Sequence, residues 1–146
     1  MSATDTELRR AMAVLEQYRA QIEALSQQHE IVRMSLEEHM RARETLVRFQ
    51  QAGKGEEILV PVGANSFVVA EVRDPEKAFV GIGSDLVVHD SIATQLERLE
   101  TRIKSITDAV NAIGTRLQEL QQRAEAQGAF VQDAYDQAQA AGGERE

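Results

Sequence analysis

From about Thr6 to Gln51 the apolar residues return in alternating steps of three and four. The series is Leu8, Ala11, Leu15, Tyr18, Ile22, Leu25, His29, Val32, Leu36, His39, Arg43 and Leu46, and nine of these twelve are apolar or aromatic. That spacing is a heptad seam and predicts one long amphipathic helix. Good helix formers fill the remaining positions, with neither Pro nor Gly to interrupt them. Thr4 or Thr6 offers an N-cap, and Gly53 and Gly55 stop the helix, since glycine takes the left-handed conformation at a helix end. A second series runs from about Asp90 to Ala141: Ile92, Leu96, Leu99, Ile103, Ile106, Val110, Ile113, Leu117, Leu120, Ala124, Gln127, Val131, Ala134 and Ala138. Only Gln127 breaks it. Asp90 or Ser91 suits the cap, while Gly114 and Gly128 fall off the seam and cost about 1 kcal/mol each against Ala.

Between these helices the pattern changes to short Val-rich runs separated by turn residues. Strands are predicted at Ile58–Val62, Ser66–Val72, Ala78–Ile82 and Leu86–His89, forming two successive hairpins. Gly63-Ala64-Asn65 and Asp74-Pro75-Glu76 supply turns. Phe67 and Val69 point to one side, Val68, Ala70 and Val72 to the other, so both faces are largely apolar. A four-stranded sheet this small cannot cover both faces itself, which predicts oligomerisation through this segment.

At 1.5 Å per residue the two helices would be roughly 70 and 75 Å long, so each needs a partner rod. Two rods of similar length in one chain predict an antiparallel coiled-coil hairpin with the strands at one end. The expected class is α+β: a helix over 1–52, an oligomerising two-hairpin body over 53–90, a helix over 91–141 and a disordered tail over 142–146.

Charge narrows the function. The 146 residues carry 24 acidic and 16 basic side chains, a net charge of −8, spread as about −1, −4 and −3 over residues 1–52, 53–91 and 92–146. No segment is a basic stripe fit for phosphates, and an anionic membrane would repel the chain. No apolar run approaches the roughly 20 residues that span a bilayer, and the first residues lack a leader pattern, so a cytoplasmic protein is expected. Without Cys there is no disulfide, thiolate ligand or Cys nucleophile.

Motifs for chemistry come close and fail. His29-Glu30 opens like a zinc-protease motif, but position 33 is Arg, and His39 and His89 have no ligand spacing. Gly81-Ile82-Gly83-Ser84-Asp85 has Leu86 where a dinucleotide loop needs a third glycine, and a strand follows it. Gly53-Lys54-Gly55 lacks the Ser or Thr of a P-loop. No catalytic residue, metal ligand or cofactor is expected, and the chain reads as no enzyme.

Some apolar residues miss the seams. Met12 and Val14 flank Leu15; Phe130 and Tyr135 flank Val131. An antiparallel hairpin brings these six together at the tip farthest from the strands. An exposed grip for a partner and a knot of packing that keeps the rod ends from splaying both fit these residues. A second off-seam group, Met40, Val47 and Phe49, lies where the sheet is expected to cover it.

Matched heptad rods with two β-hairpins between them resemble the prefoldin family. Leu59-Val60-Pro61-Val62-Gly63-Ala64-Asn65-Ser66-Phe67-Val68 is similar to the signature of its alpha class, and so is Val80-Gly81-Ile82-Gly83-Ser84-Asp85-Leu86-Val87-Val88. Two hairpins rather than one point to the alpha class, with archaeal members the nearest in form. The resemblance implies a hetero-hexamer of two alpha and four beta subunits sharing a double β-barrel, with six coiled-coil arms. It implies that the arms hold non-native polypeptides and pass them to a group II chaperonin without ATP. On this chain, assembly would use Leu59, Val60, Val62, Phe67, Val69, Phe79, Val80, Ile82, Val87 and Val88. Client contact would fall to Met12, Val14, Leu15, Phe130, Val131 and Tyr135, a set that rests on the seam argument alone. The rival reading is a structural coiled-coil scaffold, or a prefoldin-like homo-oligomer, binding one dedicated partner.

Overall fold

The computed structural model describes residues 3–144. The element order is α1 (Ala3–Ala52), β1 (Glu57–Gly63), β2 (Ser66–Glu71), β3 (Lys77–Gly83), β4 (Leu86–Ser91) and α2 (Ile92–Glu144). The chain divides into two compact units, residues 1–33 with 108–146, and residues 34–107.

Both helices bury the predicted seams: every position of the two series is buried or half-buried, and nearly all their polar positions face solvent. Ala11, Leu15, Leu120 and Ala134 are the buried apolar groups of the first unit; Val72, Ile92, Leu99 and Ile103 are those of the second. A fully buried Leu or Ile contributes roughly 1.5–3 kcal/mol, so the seams are the main store of stability. Contacts across the seam are antiparallel. In the first unit Gln127 reaches Ala11, and Gly114 lies beside His29. In the second, the Arg43 guanidinium pairs with Glu100 at 2.9 Å.

The ends follow local chemistry. α1 is already helical at Ala3, upstream of both threonines considered as caps, and the Thr4 side chain lies outside the described residues. It stops at Ala52, followed by Gly53 with φ 82°. Ser91 caps α2: its Oγ accepts the Thr94 N–H at 3.0 Å. α2 extends through Gly142 and Gly143 to Glu144, so these residues, placed in the tail by composition, are helical; Arg145 and Glu146 lie outside the described residues.

The strands correct one expectation. They form two separate two-stranded antiparallel sheets, β1–β2 and β3–β4, not one four-stranded sheet. β2 and β3 are consecutive yet unpaired. The hairpins are also copies of one another at an offset of 20 residues, β3 starting at Lys77 where β1 starts at Glu57. Glu57 pairs with Glu71 and Lys77 with Ser91; Val60 pairs with Val68 and Val80 with Val88. Each hairpin slips register just before its turn, at Pro61/Gly63 and Gly81/Gly83. Each closes with the next residue's N–H on the carbonyl before the first strand: Val72 to Glu56 at 2.9 Å and Ile92 to Glu76 at 2.8 Å. Val72 and Ile92 are also the two most deeply buried positions of this unit, at 1% and 0% exposure.

Candidate functional site

Two apolar surfaces stand out, one in each unit. In the first unit the seam turns Leu15 inward to 9% exposure and leaves Val131 half-buried. Their off-seam neighbours stay in solvent: Met12 is 51% exposed and Phe130 55%, with Val14 and Tyr135 also exposed. Of the six residues expected at a client-binding tip, four are thus accessible and two belong to the seam. These four side chains lie on the surface of the first unit rather than in its core. Polar contacts hold the surroundings in place. Gln127 Nε2 donates to the Ala11 carbonyl at 2.9 Å, and Gln139 Nε2 donates to the Tyr135 hydroxyl at 3.1 Å.

In the second unit both hairpins expose large apolar side chains. Leu59, Val60, Val62, Phe67, Val69, Phe79, Ile82 and Val87 are exposed, and Val80 and Val88 are half-buried. All ten residues expected at a subunit interface therefore lie on two unsupported hairpins. Phe79 and His89, a cross-strand pair, stack with ring centroids 4.6 Å apart. An isolated two-stranded hairpin is marginal in water, and both hairpins leave large apolar side chains uncovered in the single chain. Met40, expected beneath a sheet, remains 43% exposed, while Val47 and Phe49 are half-buried. Two separate hairpins offer less cover than one broad sheet.

The failed motifs resolve into packing. His29 and His39 sit half-buried on the α1 seam, and the His39 Nδ1 lies 2.7 Å from the Ser35 carbonyl oxygen. Gly83, Ser84 and Asp85 form the β3–β4 turn. Among the described residues no group of His, Asp and Glu could hold a metal ion, and no helix is long and apolar enough to cross a membrane. The sequence reading passes over Ile31 and Met34, exposed apolar residues off the α1 seam, and over the 20-residue hairpin repeat. Scoring every apolar position against the seam finds the first; sliding the sequence along itself finds the second.

A family model described as Prefoldin subunit matches residues 18–138. The chain is 30% identical over 110 residues to prefoldin subunit alpha of Methanosarcina mazei, covering 73% of this chain and 78% of that one. It is 32% identical over 111 residues to prefoldin subunit alpha of Pyrococcus horikoshii, covering 75% of each. The crystal structure of the prefoldin beta subunit from Thermococcus strain KS-1 superposes with a TM-score of 0.60 at 18% identity, over 88% of this chain and 91% of that one, a likeness of fold. Members of this family are chaperone subunits that assemble with one another. Paired heptad helices carrying two exposed hairpins now have their explanation, because the chain belongs to the prefoldin family, in its alpha class.

Proposed function

We propose that this chain is an ATP-independent holdase subunit of the cytoplasm. It captures unfolded polypeptides at the terminal turns of its two helices and delivers them to a group II chaperonin. It does so within a hetero-hexamer of two alpha and four beta subunits joined through the hairpins. One observation carries the reading: Met12, Val14, Phe130 and Tyr135 stay exposed on helices whose seams are already filled by other residues. Flexible Met and amphipathic aromatics adapt to many apolar partners, which suits clients without a common sequence. Several such tips on one complex turn weak contacts into useful retention through effective concentration. Asp133 and Asp136 beside them keep the tip soluble.

The test is suppression of aggregation. Assembled with beta subunits, the parent chain should keep a chemically unfolded protein in solution without nucleotide. Met12→Ser with Phe130→Ser should lose most of that protection while the mass of the complex is unchanged. Full protection by the double variant removes the tip from the mechanism.

A further inference from the structure

Off the seam, α1 divides its charge unequally within the first unit. Glu16, Arg19, Glu23, Glu30 and Arg33 follow one another at helical spacing and form one stripe. A second stripe, Val14, Gln17, Gln21, Ala24, Gln28 and Ile31, keeps the same spacing, is exposed throughout and carries no charge. The solvent face of an amphipathic helix is ordinarily charged, as the first stripe is. The amides of the second stripe are also idle. Gln127, Gln132 and Gln139 of α2 each donate a hydrogen bond, whereas among the described residues the side chains of Gln17, Gln21 and Gln28 make none. Beside them lies a groove of about 320 Å³, lined by Gln21, Ala24, Leu25, Gln28, Arg116 and Leu120. Leu120 is buried and Leu25 half-buried, so its floor is apolar, and Arg116 is already paired with Glu119.

We propose, on the reading that this chain holds unfolded polypeptides at its tip, that the uncharged stripe seats an extended client segment. Gln17, Gln21 and Gln28 hydrogen-bond its peptide groups, and the groove takes one of its apolar side chains. The stripe is continuous with the tip, because Val14 belongs to both; Ile31, 68% exposed, closes its other end. Its chemistry selects the occupant. A side-chain amide offers both a donor and an acceptor, which complements a peptide group left unpaired in an unfolded chain. A folded helix or sheet has already paired its own. Gln17 and Gln21 lie one turn apart, about 6 Å along the axis, and an extended chain turns alternate residues the same way every ~6.6 Å. Charge decides between the two stripes. An apolar segment laid over the first would strip water from its five charged groups, a cost that the second avoids. Contacts to backbone rather than to side chains hold clients that share no sequence.

The chain has no Cys, so a single placed cysteine carries a photoreactive label to one position. Met12→Cys, Gln21→Cys and Glu23→Cys chains are labelled, assembled with beta subunits and illuminated with alkylated lysozyme, which stays unfolded because its disulfides are gone. The labels at Met12→Cys and Gln21→Cys should join the lysozyme, and the label at Glu23→Cys should give background. In parallel, Gln17→Glu, Gln21→Glu and Gln28→Glu in one chain should weaken lysozyme binding by about tenfold, three hydrogen bonds at the low end of their net value. Glu23→Gln should leave it unchanged, and helix content should stay that of the parent in both, since Glu and Gln are similar helix formers. Linkage at Met12→Cys without linkage at Gln21→Cys overturns the stripe and leaves the tip standing; linkage at none of the three removes both. Equal yields at Gln21→Cys and Glu23→Cys, linkage of Gln21→Cys to another subunit instead of lysozyme, or full binding by the triple variant each overturns the proposal as well.

Discussion

Gln127 Nε2 donates to the Ala11 carbonyl at 2.9 Å, a hydrogen bond between residues 116 positions apart. It explains the single polar residue in the α2 seam. Its amide reaches across to the facing helix, and the bond forms in one helix-to-helix register only, the role a lone polar seam residue plays in other coiled coils. The Ala11 carbonyl is a mid-helix acceptor with an intrahelical partner of its own, so losing Gln127 orphans nothing there. Gln127→Ala should cost about 0.5–1.5 kcal/mol, the net value of one hydrogen bond. Gln127→Leu should melt at or above the parent, because added apolar burial offsets the loss. Thermal unfolding of both decides it; a Leu variant less stable than the Ala variant would show that the seam cannot accept an apolar side chain at this point.

Gly114 and Gly128 lie inside α2 without any need for glycine. A Cβ at Gly114 would meet His29 Nε2 at 3.8 Å, an ordinary contact, and one at Gly128 would meet nothing within 4 Å. Gly114→Ala and Gly128→Ala should each stabilise by about 1 kcal/mol, through lower backbone entropy in the unfolded chain. Gly63 is the control. Its φ of +99° is unfavourable for any side chain, so Gly63→Ala should destabilise. Urea midpoints of the three variants, with unchanged slopes, check the contrast.

Much of this fold was legible because a heptad seam is redundant. A dozen or more positions on each helix repeat the same message, and the exposed Met12 and Phe130 stand out against it as departures. Gly114 was harder to read: it misses the a/d register yet is half-buried, since the His29 imidazole occupies the space before it. The strand pairing was not legible for a different reason. Alternation assigns residues to faces, but whether β2 pairs with β3 depends on edges, and both edges are open within one chain. The same ambiguity makes those edges available to a neighbour.

Glu30 and Arg33 give a pH signature in the first unit. Arg33 donates through its Nη2 to Glu30 Oε1 at 2.7 Å and through its Nε to Oε2 at 3.1 Å. This hydrogen-bonded guanidinium holds the Glu30 carboxyl below the usual glutamate range. Because the folded value is the lower one, the pair's contribution is fully present above the unfolded value. It is lost as pH falls through the folded one. Both side chains are exposed, so the contribution is small. An NMR titration of the Glu30 carboxyl should show the depressed value in the parent and an ordinary one in Arg33→Gln, with melting near neutrality almost unchanged. Equal titration in both proteins would mean that the pair does not persist in solution.

The hairpin turns store strain at an identifiable residue. Ala64 and Asn65 have φ of 50° and 58°, and Ser84 and Asp85 have 51° and 59°, two consecutive left-handed residues in each turn. That is the geometry whose twist matches a two-stranded ribbon. Asn and Asp tolerate it because their side chains hydrogen-bond locally, whereas the Cβ of alanine crowds the following carbonyl at a cost of roughly 1–2 kcal/mol. Ala64→Asn should therefore stabilise by about 1 kcal/mol, and Asn65→Ala should destabilise by a similar amount. Neither change touches the apolar rungs, from Ile58 opposite Ala70 to Val60 opposite Val68, so the native mass should stay that of the parent. Melting curves measured beside native mass separate the outcomes. A drop in stability for Ala64→Asn at constant mass would mean that the turn adopts another backbone in solution, and a change in mass would place the turn itself within a subunit contact.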